Sequence, residues 1–361
     1  MSVPIDQPTI DQPTGVRPGE QLNMDQLEDY LARQSSDFAG PLEIEQFPSG
    51  FSNLTYLLRM GEREYVLRRP PIGNQVRSAH DMGREFRVLS QLSSLYPLVP
   101  QPLLYCEDDQ IIGGPFYIMQ RCRGVILRAD RPPKELRDNP QQVTALCHAL
   151  IDNLVEVHQI DYRAAGLEDL GRPHGYVERQ VAGWTKRYTQ AKTDDYQHMQ
   201  QLADWLTEHC PSESSAALIH NDYKYDNLVL DPGDLTRIVA VLDWEMATLG
   251  DPLMDLGTSL AYWVEPDDPP AEQKRAFGPT MLPGSLTRAE LADRYAEAAG
   301  IRKPEMVFYY TYGLFKLAVI VQQIYARYAS GKTDDPRFAN LNDMVDTIGK
   351  RGLQVVQTGK I

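Results

Sequence analysis

The sequence contains little cysteine and no long apolar run. Four of its 361 residues are cysteines, and their positions show neither the close spacing of a zinc site nor a paired pattern; they are Cys106, Cys122, Cys147 and Cys210. We therefore expect free thiols and a reducing compartment, the cytoplasm. No stretch reaches the roughly 18 apolar residues that a membrane helix needs, and the first residues lack the pattern of a signal peptide. We expect no membrane partner.

Basic residues are also scarce. Lysine and arginine number 36 against 50 acidic residues, which gives a formal net charge of −14. Because nucleic-acid binding needs a concentrated basic surface, we expect no nucleic-acid partner. An acidic surface favours a cationic ligand only weakly, since a local basic pocket can lie in an acidic protein.

The chain is long enough for two lobes. Residues 1–22 are rich in Pro, Gln, Asp and Thr and predict a disordered N-terminal tail. Residues 23–120 alternate like strands around a helical pattern at 81–95, which predicts an antiparallel sheet with one inserted helix. Residues 121–361 carry helical patterns, broken by one short hairpin at 228–243. We predict an α+β fold with an N-terminal antiparallel-sheet lobe and a larger, mostly helical C-terminal lobe.

A polar cluster stands out in the second part. The stretch "LIHNDYKYDNLVL" (218–230) places Asp222, Lys224 and Asn227 between two apolar runs. A carboxylate there can accept a proton from a hydroxyl, and a lysine can neutralise charge on a transferring phosphoryl group. If the following hairpin folds back, Asn227 meets Asp243, and amide and carboxylate oxygens suit Mg²⁺. The His, Asp and Asn of the cluster have the spacing of a kinase catalytic loop.

Seven stretches, in the same order, resemble the aminoglycoside phosphotransferase-like family of the protein-kinase-like fold. Within that family, the chain resembles a subfamily that occurs alone in bacteria or fused to acyl-CoA dehydrogenases in animals. The resemblance covers most of the chain and implies a bilobal kinase-like fold. The matching stretches are "FPSGFSNLTYLL" (47–58), "YVLRRPP" (65–71), "REFRVLSQL" (84–92), "PFYIMQRCRGVIL" (115–127), "GYVERQVAGW" (175–184), "LIHNDYKYDNLVL" (218–230) and "VLDWEMATLGDPLMDLG" (241–257).

For the catalytic loop, the resemblance implies that Asp222 is the catalytic base and that Asn227 and Asp243 bind Mg²⁺. Lys224 matches a lysine that touches the γ-phosphate in Ser/Thr protein kinases. His220 is expected to hold the shape of the loop. Three further expectations concern other residues: an anchoring role for Asp255, a solvated or capping role for Asp226 and a substrate-side role for Arg179.

For the nucleotide, the resemblance implies a helix glutamate, Glu85, paired with a cation on a strand. The sequence departs from the family pattern here, because "YVLRR" places Arg68 where a lysine is usual, and arginine can still grip phosphate. Since alternate strand residues face opposite sides, either Arg68 or Arg69 could face inward. The expected phosphate-covering loop and hinge contribute the other cofactor-binding residues, Ser49, Gly50, Ser52, Asn53, Gln120 and Cys122.

Together these patterns predict a kinase that uses Mg²⁺ and ATP to phosphorylate a hydroxyl of a small molecule. The subfamily resemblance favours a hydroxyacyl-CoA or a related hydroxy acid; the wider family suggests an aminoglycoside as the alternative acceptor. A second class is a nucleotide-binding regulator without turnover, since the strand lysine is replaced. No activation segment follows Asp243, which argues against a protein kinase. ATP against GTP and the oligomeric state stay open.

Overall fold

The computed structural model describes residues 10–47, 53–71, 81–129, 131–211 and 215–361. Most of the predicted phosphate-covering loop, namely Ser49, Gly50 and Ser52, lies outside the described residues. The other predicted site residues are all described.

The first part of the chain forms a five-stranded antiparallel sheet, with the strand order β1-β2-β3-β5-β4. Hairpin β2–β3 turns at Gly61-Glu62, as the sequence predicts. The elements of this lobe are α1 (Met24–Gln34), β1 (Leu42–Gln46), β2 (Leu54–Met60), β3 (Arg63–Arg69), α2 (Met82–Leu92), β4 (Pro102–Cys106), α3 (Asp109–Ile112) and β5 (Phe116–Gln120).

The two faces of the sheet pack against different partners. On one face, apolar side chains such as Leu67 and Ile118 form a core with Leu27 and Leu31 of α1. On the other face, Val66 belongs to the large core that also contains α2 and the helical lobe. Because strand residues alternate, Arg68 lies on the same face as Val66 and faces the helical lobe.

Residues 10–22 lie against the sheet, where the composition predicts a disordered tail. Thr14 and Gln46 exchange two backbone hydrogen bonds of 2.8 Å, and the Glu20 carbonyl accepts a hydrogen bond of 2.7 Å from the Tyr56 hydroxyl. The physical reason is that edge strand β1 offers unpaired backbone groups, which this segment satisfies. The prediction of disorder does not hold for these residues.

After Gln120 the chain is mostly helical, as predicted, with two small two-stranded sheets, β6–β9 and β7–β8. Its elements are α4 (Lys134–Arg137), α5 (Pro140–Gln159), α6 (Tyr176–Ala191), α7 (Gln197–Glu208), β6 (Ala217–Ile219), β7 (Leu228–Asp231), β8 (Asp234–Val241), β9 (Thr248–Gly250), α8 (Pro252–Ala261), α9 (Pro270–Gln273), α10 (Arg288–Ala299), α11 (Met306–Ala329) and α12 (Leu341–Thr358).

Helix α11 lies at the centre of the helical lobe, where its side chains from Met306 to Val319 are almost all buried. It approaches α8 closely because both helices carry a glycine at the crossing: a Cβ on Gly313 would collide with the backbone of Gly257. This contact fixes α11 directly behind the polar cluster at residues 218–230. In the part of the chain that the structure describes, no helix combines the length and apolarity of a membrane span.

Candidate active site

Hairpin β7–β8 brings the two predicted metal ligands together. Leu228 pairs with Val241, and the amide of Leu242 donates a hydrogen bond of 2.8 Å to the carbonyl of Asn227. Asp243 follows immediately, with φ at 67°. Few non-glycine residues adopt this left-handed conformation, although aspartate and asparagine do so more often than most, and such residues cluster at active sites. The folding back of the hairpin is as the sequence predicts.

The carboxylate of Asp222 receives hydrogen bonds on both oxygens. Oδ2 accepts one from Lys224 Nζ at 2.5 Å and one from Asn227 Nδ2 at 3.0 Å. Oδ1 accepts one from the hydroxyl of Tyr262 at 2.8 Å, and the Lys224 ammonium lies 4.8 Å from the centre of the Tyr262 ring. The predicted catalytic pair, Asp222 and Lys224, is therefore in direct contact.

The ionisation of Asp222, Lys224 and Tyr262 is set by burial and by their contacts with one another. Burial raises the pKa of Asp222, but the charge of Lys224 and the hydrogen bonds from Lys224 and Tyr262 outweigh it, so the pKa lies below its usual value. Burial lowers the pKa of Lys224, and the Asp222 carboxylate more than reverses this. Burial and the same carboxylate hold the pKa of Tyr262 well above its usual value. At neutral pH Asp222 is a carboxylate, Lys224 is charged and the phenol of Tyr262 keeps its proton.

The loop around Asp222 is held from behind by Asp255. This buried carboxylate accepts hydrogen bonds from the amides of His220 (2.7 Å) and Asn221 (2.8 Å), and it lies 3.1 Å from Nε2 of His158. The amide of Asp222 donates to Nδ1 of His220, so the other nitrogen of that ring, Nε2, donates to the Leu242 carbonyl at 2.9 Å. The predicted anchoring role of Asp255 and scaffold role of His220 are confirmed.

Replacing Asp255 by asparagine is expected to destabilise the fold. The amide nitrogen of asparagine would face the amide donor of His220 or of Asn221, and one buried N–H group would lose its acceptor. We expect the free energy of unfolding to fall by about 2–4 kcal/mol, measured by urea denaturation at pH 7. The exposed Asp267 provides the control, and an Asp267→Asn value equal to that of Asp255→Asn would contradict the anchoring role.

Lowering the pH should reproduce part of this loss of unfolding free energy in the protein without the substitution. Burial raises the pKa of Asp255, but the His158 hydrogen bond and charge, together with backbone donors, bring it below its usual value. A carboxyl with a depressed pKa in the folded state stabilises the fold above its unfolded pKa, about 3.9. That stabilisation is lost as the pH falls below this value.

Arg68 occupies the predicted position of the strand cation and faces inward. Its Nη1 lies 2.5 Å from Glu85 of α2, and its Nη2 lies 2.7 Å from Asp243. Arg69 lies on the opposite face, where its guanidinium donates to the carbonyls of Ile112 and Gly113. The choice that strand alternation leaves open is therefore decided by geometry in favour of Arg68.

A third carboxylate, Glu245, completes the surroundings of Arg68. It lies 3.8 Å from Nη2 of Arg68 and accepts a hydrogen bond of 2.5 Å from Nδ2 of Asn53. Burial lowers the pKa of Arg68, but Glu85, Asp243 and Glu245 raise it well above its usual value. Asn53, which belongs to the predicted phosphate-covering loop, is thus tied to the same cluster.

The two predicted hinge residues lie where β5 ends. The amide of Gln120 donates to the carbonyl of Gln101 at 2.8 Å, and its side chain is exposed. Burial raises the pKa of the half-buried Cys122 thiol to about 11, so this cysteine is not a reactive thiolate. Between them, Arg121 forms an ion pair of 2.6 Å with Glu64 on β3.

Two further residues singled out from the sequence have local partners. Arg179 donates to the backbone carbonyls of Arg172 and His174, at the start of its own helix. Asp226 lies 3.5 Å from Arg128 in an ion pair, and burial raises its pKa. Arg179 is therefore hydrogen-bonded to the residues that precede its own helix, α6.

Sequence reasoning missed three residues that contact the site, Tyr262, Glu245 and Lys316. Tyr262 lies forty positions after the carboxylate that it binds, and no local spacing marks it. Glu245 follows the predicted metal ligand Asp243 by two residues, and that proximity was its signal. Lys316 is a charged residue within an apolar helix, and that contrast was its only signal.

Comparison with known proteins agrees with this geometry. A model of the phosphotransferase enzyme family matches residues 43–305. Acyl-CoA dehydrogenase family member 11 of Pongo abelii is 35% identical over 350 residues, which cover 94% of this chain and 44% of the relative. Acyl-CoA dehydrogenase family member 10 of Mus musculus is 36% identical over 320 residues, which cover 88% of this chain and 30% of the relative. The chain thus spans less than half the length of these curated relatives.

Solved structures share the whole fold. A Ralstonia eutropha JMP134 protein, described as a candidate aminoglycoside phosphotransferase, has a TM-score of 0.79 and 30% identity, with 93% of this chain and 99% of that one covered. The GDP complex of aminoglycoside 2'-phosphotransferase-IIIa has a TM-score of 0.59, covers 91% of this chain and 99% of its own, and at 12% identity shows the fold alone. The resemblance seen in the sequence is confirmed, and the chain belongs to the phosphotransferase enzyme family.

Proposed function

We propose that this protein is a kinase that uses Mg²⁺ and ATP to phosphorylate a hydroxyl group of a small molecule. The observation that carries the proposal is one set of contacts around Asp222 and Arg68. Asp222 is held by Lys224 and Asn227, and Arg68 joins Glu85 to Asp243 across the two lobes. Base, cation and metal ligands are the parts that phosphoryl transfer needs, since its catalysis is mostly positioning and charge neutralisation.

Asp222 would bind and orient the acceptor hydroxyl. Its Oδ2 already accepts two hydrogen bonds and its Oδ1 accepts one, so Oδ1 has the spare lone pair that a hydroxyl can use. Because its pKa is depressed, Asp222 is a weak base in the ground state. It would accept the proton late, as the hydroxyl becomes acidic on bonding to phosphorus. Lys224 would neutralise charge on the transferring group.

The residues present fit Mg²⁺. Asn227 points its Nδ2 at the backbone carbonyl and carboxylate of Asp222, which leaves its Oδ1 for a metal. Asp243 uses Oδ1 for Arg68 and retains Oδ2. Mg²⁺ would take its remaining ligands from phosphates and water. Bound there, the ion would neutralise phosphate charge.

The nucleotide would lie between the sheet and hairpin β7–β8. Because the amide of Gln120 is bonded within the protein, its carbonyl and the amide of Cys122 are the main-chain groups that we assign to the adenine edge. We assign Arg68 and Asn53 to the phosphates, together with Ser49, Gly50 and Ser52. The fold-level relative solved with GDP makes GTP the alternative donor.

For the acceptor we propose a hydroxyacyl-CoA or a related hydroxy acid. The relatives that share 35% and 36% identity with this chain are named as acyl-CoA dehydrogenase family members. The surroundings of Asp222 agree with such an anionic, partly apolar acceptor. Lys224 is cationic, and the ring of Phe277 packs against Tyr262 with centres 5.0 Å apart. The nearby carboxylate of Asp226 is paired with Arg128. A polycationic aminoglycoside would bind better to carboxylates that have no cationic partner within the protein.

The proposal predicts which compounds support ATP consumption. Hydroxyacyl-CoAs and free hydroxy acids should be phosphorylated in the presence of Mg²⁺, whereas the matched acyl-CoAs without the hydroxyl should not. The measurement is coupled ADP release with mass detection of the product, with ATP and GTP compared and aminoglycosides tested in parallel. Turnover with aminoglycosides alone would show that the acceptor is an aminoglycoside and not a hydroxyacyl-CoA or a hydroxy acid. Nucleotide binding without any transfer, to these compounds or to water, would indicate the regulator instead.

A further inference from the structure

A buried lysine lies directly behind the catalytic loop. Lys316 of α11 is 2% exposed, and its Nζ donates a hydrogen bond of 2.8 Å to the backbone carbonyl of Asn221. Within the described residues, the closest acceptors of this ammonium are that carbonyl and the Oδ1 of the same asparagine, at 3.5 Å. The ring of Trp184 lies 5.9 Å away. A buried ammonium whose direct partner is a carbonyl rather than a carboxylate is unusual.

The carbonyl that Lys316 holds belongs to a strained residue. Asn221 has φ at 68°, in the left-handed region that costs non-glycine residues energy and persists only where the surroundings enforce it. Asp255 holds its amide at 2.8 Å, and the carbonyl of Met246 accepts from its Nδ2 at 3.1 Å. Lys316 holds the third group, the peptide that links Asn221 to Asp222. The plane of that peptide sets the direction in which the Asp222 side chain leaves the backbone.

This arrangement costs folding free energy. Burial lowers the pKa of Lys316 to about 8; Asp255 and Asp222 oppose the shift, and Lys224 and Arg187 add to it. A buried amine that gives up part of its proton affinity destabilises the charged form of the fold. An apolar side chain of similar shape would avoid that cost. Stability alone therefore does not explain a lysine at this position.

We propose that Lys316 is a positioning residue for phosphoryl transfer: its ammonium fixes the peptide between Asn221 and Asp222 and thereby places the base. The inference rests on the proposed function for its activity readout, whereas its effect on the loop can be measured without any substrate. Lys316 acts through Asn221 and touches no reacting atom.

The first test measures the loop itself. In Lys316→Met, amide hydrogen exchange of residues 218–228 should accelerate at least tenfold, while the unfolding temperature at pH 7 stays at or above that of the unchanged protein. The matched control is Gln322→Met, which replaces another fully buried polar residue of α11. Gln322 donates to Ala191 and Thr193, far from the loop in sequence, so this variant should leave loop exchange unchanged. Unchanged loop exchange in Lys316→Met would overturn the proposal.

The second test separates positioning from structure by kinetics. In Lys316→Met, kcat for transfer from Mg·ATP, to water or to an accepted hydroxy compound, should fall by about 10²-fold, while KM for Mg·ATP stays within about twofold. In the unchanged protein kcat should decline as the pH rises through about 8, and Lys316→Met should lack this decline. Persistence of the decline would sink the idea. If the unchanged protein shows no transfer at all, the proposed function fails, and loop exchange still decides the role of Lys316.

The pH dependence of stability provides a third test of Lys316. Its folded pKa, about 8, lies below its ordinary value of 10.5, so between these values the unfolded chain binds more protons than the fold. Stability therefore gains a contribution that rises with pH through this window. Lys316→Met should lose that rise and Gln322→Met should keep it. An identical rise in both variants would assign it to another group.

Discussion

Asp222→Asn is expected to lower kcat by about 10²- to 10⁴-fold, the usual loss on removing a general base. The affinity for Mg·ATP should stay within about threefold, because Arg68, Glu85 and Asp243 are unchanged. The fold should survive as well. The amide oxygen of asparagine can accept from Lys224 and Asn227, and its NH₂ group can donate to Tyr262, whose hydroxyl oxygen is also an acceptor. The measurement is single-turnover transfer from ATP together with calorimetric titration of the nucleotide.

Asp226→Asn is the matched control for this prediction. It makes the same chemical change four residues away in the same loop, at a carboxylate that pairs with Arg128 and has no assigned part in the transfer. Its kcat should stay within about threefold of the unchanged protein, because its carboxylate pairs with Arg128 and not with Lys224, Asn227 or Tyr262. A near-normal rate in Asp222→Asn, or an equal loss in both variants, would show that Asp222 is not the base.

The parts of the site that the sequence predicted are those set by local spacing. Asp222 and Asn227 lie on one short loop, and a hairpin with a recognisable turn returns Asp243 to it, so their meeting follows from chain geometry. Strand alternation reduced the strand cation to two neighbours but could not choose between them. The choice depends on which face of β3 meets α2, and that is decided by packing between segments.

The parts that the sequence missed depend on contacts between distant segments. Tyr262 lies on the turn after α8, and Lys316 reaches the loop only because α11 passes behind it at the Gly257–Gly313 crossing. Neither residue has a periodic or spacing signal of its own. The contacts of residues 10–22 are of the same kind. Their composition is that of a disordered segment, yet a free sheet edge lies within reach and gives their backbone groups partners.

Arg68→Met is expected to weaken Mg·ATP binding and to destabilise the fold together. The guanidinium bridges Glu85 and Asp243 at 2.5 and 2.7 Å, so its removal leaves two carboxylates facing each other without a cation, one of them fully buried. Breaking a buried pair in this way costs about 3–5 kcal/mol of stability. Loss of a charge-assisted contact to phosphate removes roughly a further 1.5–3 kcal/mol of binding, or about 10- to 150-fold in affinity.

Arg69→Met separates these two effects, because it changes the neighbouring arginine of the same strand. Arg69 is also buried, 3% exposed, but its guanidinium binds the carbonyls of Ile112 and Gly113 on the far face of the sheet. This variant should lose stability through its unpaired carbonyls and keep its Mg·ATP affinity within about threefold. Calorimetric titration at a temperature where both variants are folded makes the comparison. Equal loss of nucleotide affinity in both would mean that the inward position of Arg68 has no part in phosphate binding. A loss confined to Arg68→Met would establish that an arginine performs, in this chain, the task that a strand lysine performs in the family pattern.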